Sequence, residues 1–211
     1  MKKWVVIEKQ VGETPLMALN RWKKENPAYA NVPASYAGRL DPMASGKLLV
    51  LFGEECKRQK AYTKLDKEYE IEVLLDALSD SGDALGIVEY AGRETRVEQG
   101  ALREALRAEH GAHLRPYPLF SSKTVNGKPL FLHTLEGASA NIEIPKHEEH
   151  IYGIKVQGIS TVSSEALAAR IDNFLARVPK SDEPSKALGA DFRKGDVRAS
   201  WATLFAEAGE R

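Results

Sequence analysis

Asp41 sits among small residues in Gly38-Arg39-Leu40-Asp41-Pro42-Met43-Ala44-Ser45-Gly46, directly before a proline and just ahead of the apolar run 48–52. Proline biases the preceding residue towards extended backbone, so Asp41 is held out of a helix. Ala44, Ser45 and Gly46 have so little bulk that a large ligand could bring its own backbone close. Two readings stay open from these residue types. The acid is a reactive carboxylate facing a ligand, or it is solvated or capping in a turn, because Asp-Pro is a common turn initiator.

A second stretch could also do chemistry. Residues 110–133 contain no Asp or Glu, and Arg115, Lys123 and Lys128 are interleaved there with Tyr117, Phe120 and Phe131. Cations neutralise phosphates and aromatic rings stack on bases, a combination suited to single-stranded or loop RNA. An ordinary loop with a few lysines fits the same composition. The other basic run, Lys57, Arg58, Lys60, Lys64 and Lys67, is broken by Asp66 and Glu68 and reads as a solvated helix face. His147-Glu148-Glu149-His150 lacks a zinc signature and reads as an exposed polar turn, while Asp76, Asp80 and Asp83 lack calcium-loop spacing.

The elements that must carry these residues read as mixed α/β. Residues 3–7 form a short strand, and Thr14-Pro15 opens a helix with a capping hydroxyl and a proline at its first position. Leu16, Leu19 and Trp22 continue that helix until it stops before Pro27. The run 48–52 predicts a buried strand, and the alternation of Tyr69, Ile71, Val73 and Leu75 predicts a half-buried one. A helix is expected over 97–109 with Gly111 as its stop, then a strand over 151–159, a helix over 164–178, a polar linker over 179–186 and a last helix over 194–207.

Composition bounds the function. The chain has 211 residues, 43% of them apolar, and its 30 basic and 30 acidic residues leave no net charge. A nucleic-acid site must therefore be a local patch. One cysteine, Cys56, excludes an internal disulfide framework, fits a reducing compartment and reads as a packing residue. The only apolar run near the start, 4–7, is too short for a signal peptide or membrane span. The expectation is a cytoplasmic protein with no membrane partner.

Tyr36-Ala37-Gly38-Arg39-Leu40-Asp41-Pro42-Met43-Ala44-Ser45-Gly46-Lys47-Leu48 resembles the catalytic motif of the TruB family of tRNA pseudouridine synthases, whose core is G-x-L-D-P-x-A-x-G. Four further stretches are similar in order and spacing to that family. They are Val11-Gly12-Glu13-Thr14-Pro15-Leu16 with Lys9 in front, Asp66-Lys67-Glu68-Tyr69, Asp80-Ser81-Gly82-Asp83-Ala84-Leu85-Gly86, and Phe120-Ser121-Ser122-Lys123 running on to Gly127 and Phe131. The resemblance implies an α/β (α+β) pseudouridine synthase fold, a mixed and mainly antiparallel sheet flanked by helices. It implies isomerisation of a uridine in the tRNA T-arm, with no redox or group-transfer cofactor and no metal. Asp41 is then the catalytic residue, acting covalently or as a base at the sugar. Tyr69 is implied to stack on the flipped base, and Tyr36, Arg39, Lys123 and Asp83 to contact substrate.

The chain departs from the family pattern at three places. Arg39 stands where most relatives have threonine, and Arg-Leu-Asp occurs in the RluA-type synthases. Tyr36 occupies the place of an RNA-positioning histidine. The third family motif, roughly [KS]-G-x-Y-[IV]-R, is missing from 191–211, where Lys194-Gly195-Asp196-Val197-Arg198 is one residue short and has no tyrosine. The expectation is one catalytic domain over 1–211, incomplete at its C-terminus and without the usual C-terminal PUA domain. Such a chain is expected to be a monomer that binds tRNA and turns it over slowly unless the missing strand is supplied. An RluA-like enzyme on other RNA and a non-catalytic tRNA-binding or chaperone module are the two alternatives.

Overall fold

The computed structural model describes residues 2–38, 40–63, 65–92, 96–179 and 193–209. Two units divide the chain, one of Met1–Val73 with Ala168–Gly195 and one of Leu74–Leu167 with Asp196–Arg211.

In the first unit the apolar run becomes β3 (Gly46–Phe52), antiparallel to both β1 (Trp4–Lys9) and β2 (Ala34–Ala37), in the order β1-β3-β2. A central strand has no free edge, and Leu48, Val50, Leu51 and Phe52 are all buried, so uninterrupted apolarity suits it. The register pairs Ile7 with Leu48, Lys9 with Gly46 and Ala37 with Leu49. The ladder thereby brings the end of β1 beside the exit of the Asp41 loop. Helix α1 (Pro15–Glu25) adds Ala18 and Leu19 to a core with Ile7, Leu48, Val50 and Phe52. Trp22 and Tyr29 close it through ring contacts with Phe52 at 5.4 and 4.6 Å. The expected cap is present, since Thr14 Oγ1 accepts from Met17 N at 3.2 Å. Of the basic run after β3, Lys57 and Arg58 lie in a 3-10 turn, Gly53–Arg58, and Lys60 in α2 (Gln59–Tyr62), while Lys64 is outside the described residues.

The second unit is built from short antiparallel pairs. The pair β4 (Ala77–Ser79) and β5 (Val88–Tyr90) flanks the acidic turn. Helix α3 (Gln99–Ala108) follows, two residues shorter at its start than the sequence predicts, and Gly111 opens a strand directly after it. That strand, β6 (Gly111–Pro116), pairs with β9 (Lys146–Ile151). Between them lie the minimal hairpin β7 (Thr124–Val125) and β8 (Lys128–Pro129), turned by Asn126-Gly127 with both φ positive, and α4 (Leu130–Leu135). Helix α5 (Ser164–Arg177), which belongs to the first unit from Ala168 on, and helix α6 (Lys194–Gly209) match the periodicity of the sequence. Trp201 of α6 donates Nε1 to Ala84 O at 3.1 Å, and Ser200 Oγ accepts from Val88 N, so α6 holds the acidic turn of its own unit.

Two expectations are corrected. Residues 69–75 form no ladder among the described residues, and Tyr69, Ile71 and Val73 are exposed. Alternation makes a segment competent for a pleated strand, but a strand needs a partner edge. The strand expected over 151–159 instead occupies 146–151, so His147–His150 lies in a ladder and not in a turn. The linker expected over 179–186 lies, but for residue 179, outside the described residues.

Candidate functional site

The Asp41 loop leaves β2 through Gly38, whose φ of +89° only glycine adopts freely. Asp41 is exposed, and its carbonyl accepts from Ala44 N at 2.9 Å, closing a tight turn around Pro42. The Pro42 carbonyl is held from two sides, by Gly12 N at 2.8 Å and by Lys9 Nζ at 3.2 Å. Lys9 is 0% exposed, and its ammonium also donates to Gln10 O at 3.1 Å and Glu13 O at 2.8 Å. Three donors thus meet three carbonyls, which offsets the cost of burying the charge. Burial still lowers the Lys9 pKa, against the raising effects of the Glu13 and Asp41 charges.

Glu13 extends this brace. Its carboxylate takes a two-pronged grip from Arg21, Nε to Oε1 at 2.8 Å and Nη2 to Oε2 at 3.0 Å, and also accepts from Gln10 N. The Arg21 hydrogen bond is the main reason that the Glu13 pKa lies below its ordinary value. Arg21 reaches on to Glu8 O at 2.7 Å, tying α1 to the end of β1. Gly12 has φ +87°, and a Cβ there would come within 2.9 Å of Arg177 O. Backbone conformation and the nearness of α5 therefore both require glycine.

The other predicted residues are placed as follows. Tyr36 lies half-buried on β2 against the core, with its carbonyl accepting from Gln59 Nε2 at 2.6 Å. Tyr69 is 69% exposed in the same unit, beside the segment anchored by the Glu72–Arg170 ion pair. Arg39 lies outside the described residues. Asp83 and Lys123 belong to the second unit. Asp83 Oδ1 accepts from Leu85 N and Ser81 Oγ, both at 2.9 Å, within its own turn. Lys123 Nζ stands 4.8 Å over the Tyr117 ring, which itself stacks on His147 at 4.5 Å.

The acid-free stretch is less basic in space than in sequence. Arg115 forms ion pairs with Glu109 and, at 2.6 Å, with Glu149 of the partner strand, while Lys128 pairs with Glu136. Sequence reasoning noted Lys9 and Gly12 only as parts of a motif and missed what they do. A lysine closing a strand just before a Gly-x-Thr-Pro helix start was the available signal. Among the described residues no cluster of His, Cys, Asp and Glu could hold a metal ion, and no helix is long and apolar enough to cross a membrane.

A family model described as TruB family pseudouridylate synthase (N terminal domain) matches residues 28–172, which include the Asp41 loop, Tyr69, Asp83 and Lys123. This chain belongs to the TruB family. It is 38% identical over 145 residues to tRNA pseudouridine synthase B of Azoarcus sp. (strain BH72), covering 69% of this chain and 44% of that protein. It is 33% identical over 141 residues to the protein of the same name from Aromatoleum aromaticum, covering 66% and 43% of the two chains. The Burkholderia mallei (strain NCTC 10247) protein is 32% identical over 139 residues, covering 66% and 45%. The chain spans less than half the length of the curated TruB relatives it matches. Lys9 and Gly12 precede the span of the family match, yet both bond to the loop that carries the TruB motif.

Proposed function

We propose that this chain isomerises uridine to pseudouridine in the T-arm of tRNA and that Asp41 is the reacting carboxylate. The observation that carries the reading is an exposed Asp41 next to a carbonyl fixed from two sides, in a loop that bears the TruB motif. In this reaction the bond from ribose C1′ to uracil N1 breaks, the base rotates, and C1′ bonds to C5. The C5 proton leaves and N1 gains one, so no electrons are exchanged with a cofactor. Asp41 acts at the ribose, by attack on C1′ or by removing a proton from the sugar.

The target uridine must be flipped out of the folded loop at a cost of a few kcal/mol. Tyr69 is exposed enough to stack on the extruded base, which offsets about 1–3 kcal/mol of that cost. Arg39, Tyr36, Lys123 and Asp83 complete the proposed substrate contacts.

The test is tritium release from a T-arm stem-loop labelled at uridine C5. Release by the wild-type chain, lost in Asp41→Asn with RNA binding retained, supports the reading. RNA binding without release by either form assigns a binding module instead. Preference for ribosomal RNA fragments over the T-arm assigns an RluA-like enzyme, a reading favoured by Arg39-Leu40-Asp41 alone.

A further inference from the structure

Helix α3 carries Arg103 and Arg107 one turn apart, so both side chains stand on one face. Both are exposed, and among the described residues neither forms an ion pair. Arg103 Nε donates only to Gln99 O of its own helix, at 3.3 Å. Glu104, on the same helix, pairs with neither. Like charges at this spacing destabilise a helix by about 0.2–0.5 kcal/mol. Elsewhere in the second unit, Arg115 and Lys128 are each answered by a glutamate.

The two arginines line an open cleft of about 420 Å³ together with Leu106, His110 and Ile154. His110 Nε2 lies 2.9 Å from Tyr152 O, which joins the cleft to an aromatic ledge. On that ledge the rings of His150 and Tyr152 stack at 4.6 Å, and Tyr152 is 66% exposed. Guanidinium forks suit phosphate oxygens, and an exposed ring beside them suits an unpaired base.

We propose that the α3 cleft is an RNA contact separate from the Asp41 loop. Arg103, Arg107 and His110 take phosphodiester groups there, and the Tyr152–His150 ledge takes a base. The inference rests on the proposal that the chain's ligand is RNA.

The test is binding of the full chain to a labelled T-arm stem-loop over a series of salt concentrations. Each neutralised phosphate contributes about 0.7–0.9 to the slope of log K against log salt. Arg103→Ala with Arg107→Ala is expected to lower that slope by about 1.5 and weaken binding at low salt at least tenfold. The lysine pair at both positions is expected to recover the slope. Alanine is a strong helix former, so an unchanged thermal melt keeps loss of fold out of the comparison. Wild-type binding with an unaltered slope in the alanine pair overturns this inference and leaves the proposed function standing. Equal competition by an acidic peptide, or by vesicles of anionic lipid, also overturns it, by showing a site for negative charge in general. Absence of RNA binding by the wild type overturns both.

Discussion

Lys9 and the Arg103–Arg107 pair are cations that their two regions treat in opposite ways. Lys9 lies wholly inside the first unit and gives every donor it has to carbonyls of its own chain. The α3 arginines stand in solvent around a cleft, without an acidic partner among the described residues. The difference teaches how to sort positive charge in a chain of zero net charge. A cation whose donors are already satisfied supports geometry, whereas one left unanswered on a concave surface is available to a ligand. Arg115 and Lys128 fall on the structural side, because Glu149 and Glu136 answer them.

The comparison can be broken or sharpened by substitution. The largest effect is expected at the residue that the brace supports. Asp41→Asn should slow tritium release about 10³-fold while leaving the salt slope of RNA binding unchanged. A slope that shifts would mean that the loop charge governs binding as well.

Lys9→Met comes next. It leaves the Glu13 carbonyl without its donor, removes one of two donors from the Pro42 and Gln10 carbonyls, and should lower stability by about 2–3 kcal/mol in urea unfolding. The pH dependence has a definite sign. Burial lowers the folded pKa below the ordinary lysine value of 10.5, so between the two values the unfolded chain binds more protons. Stability should therefore rise with pH over that window in the wild type, and Lys9→Met should lack this rise. A variant of normal stability with a reduced RNA salt slope would place Lys9 among the ligand cations and collapse the distinction.

Gly12→Ala should cost about 2 kcal/mol, from a positive φ and the close approach of Arg177. A thermal melt checks it, and an unchanged midpoint would show that the contact with α5 yields easily.

The smallest effect is expected at Glu13→Gln, about 1 kcal/mol, since Arg21 is 40% exposed and solvent screens the pair. Because the folded pKa of Glu13 is depressed, its contribution is present above the ordinary carboxylate range and lost as pH falls through the folded value. Acid unfolding of the variant should therefore be less steep than that of the wild type.

Elements whose apolar residues follow one period were legible in the sequence. Helix α1 with its Thr14 cap, β3, and the helices α5 and α6 stand within a few residues of where periodicity puts them. Strand β9 was hidden because its alternating positions are His, Glu and Lys, and only pairing with β6 makes them a ladder. Residues 69–75 misled in the other direction, since alternation reports competence for a strand and carries no information about a partner.

For the candidate site, small residues and proline left two readings of the Asp41 loop open, and the resemblance to the TruB motif singled it out. The role of Lys9 was not, because lysine reads as a surface residue until its neighbours are known. Neutralisation of Arg115 was equally hidden, since Glu149 is remote from it in sequence and adjacent only across the ladder.

The double hold on the Pro42 carbonyl has a consequence for recognition. A turn fixed by a buried ammonium and a backbone amide loses its conformational freedom when the chain folds. On the proposed reading, an arriving RNA would meet a surface that is already ordered. The entropy of shaping this turn falls on folding, and little of it is subtracted from the affinity for the ligand.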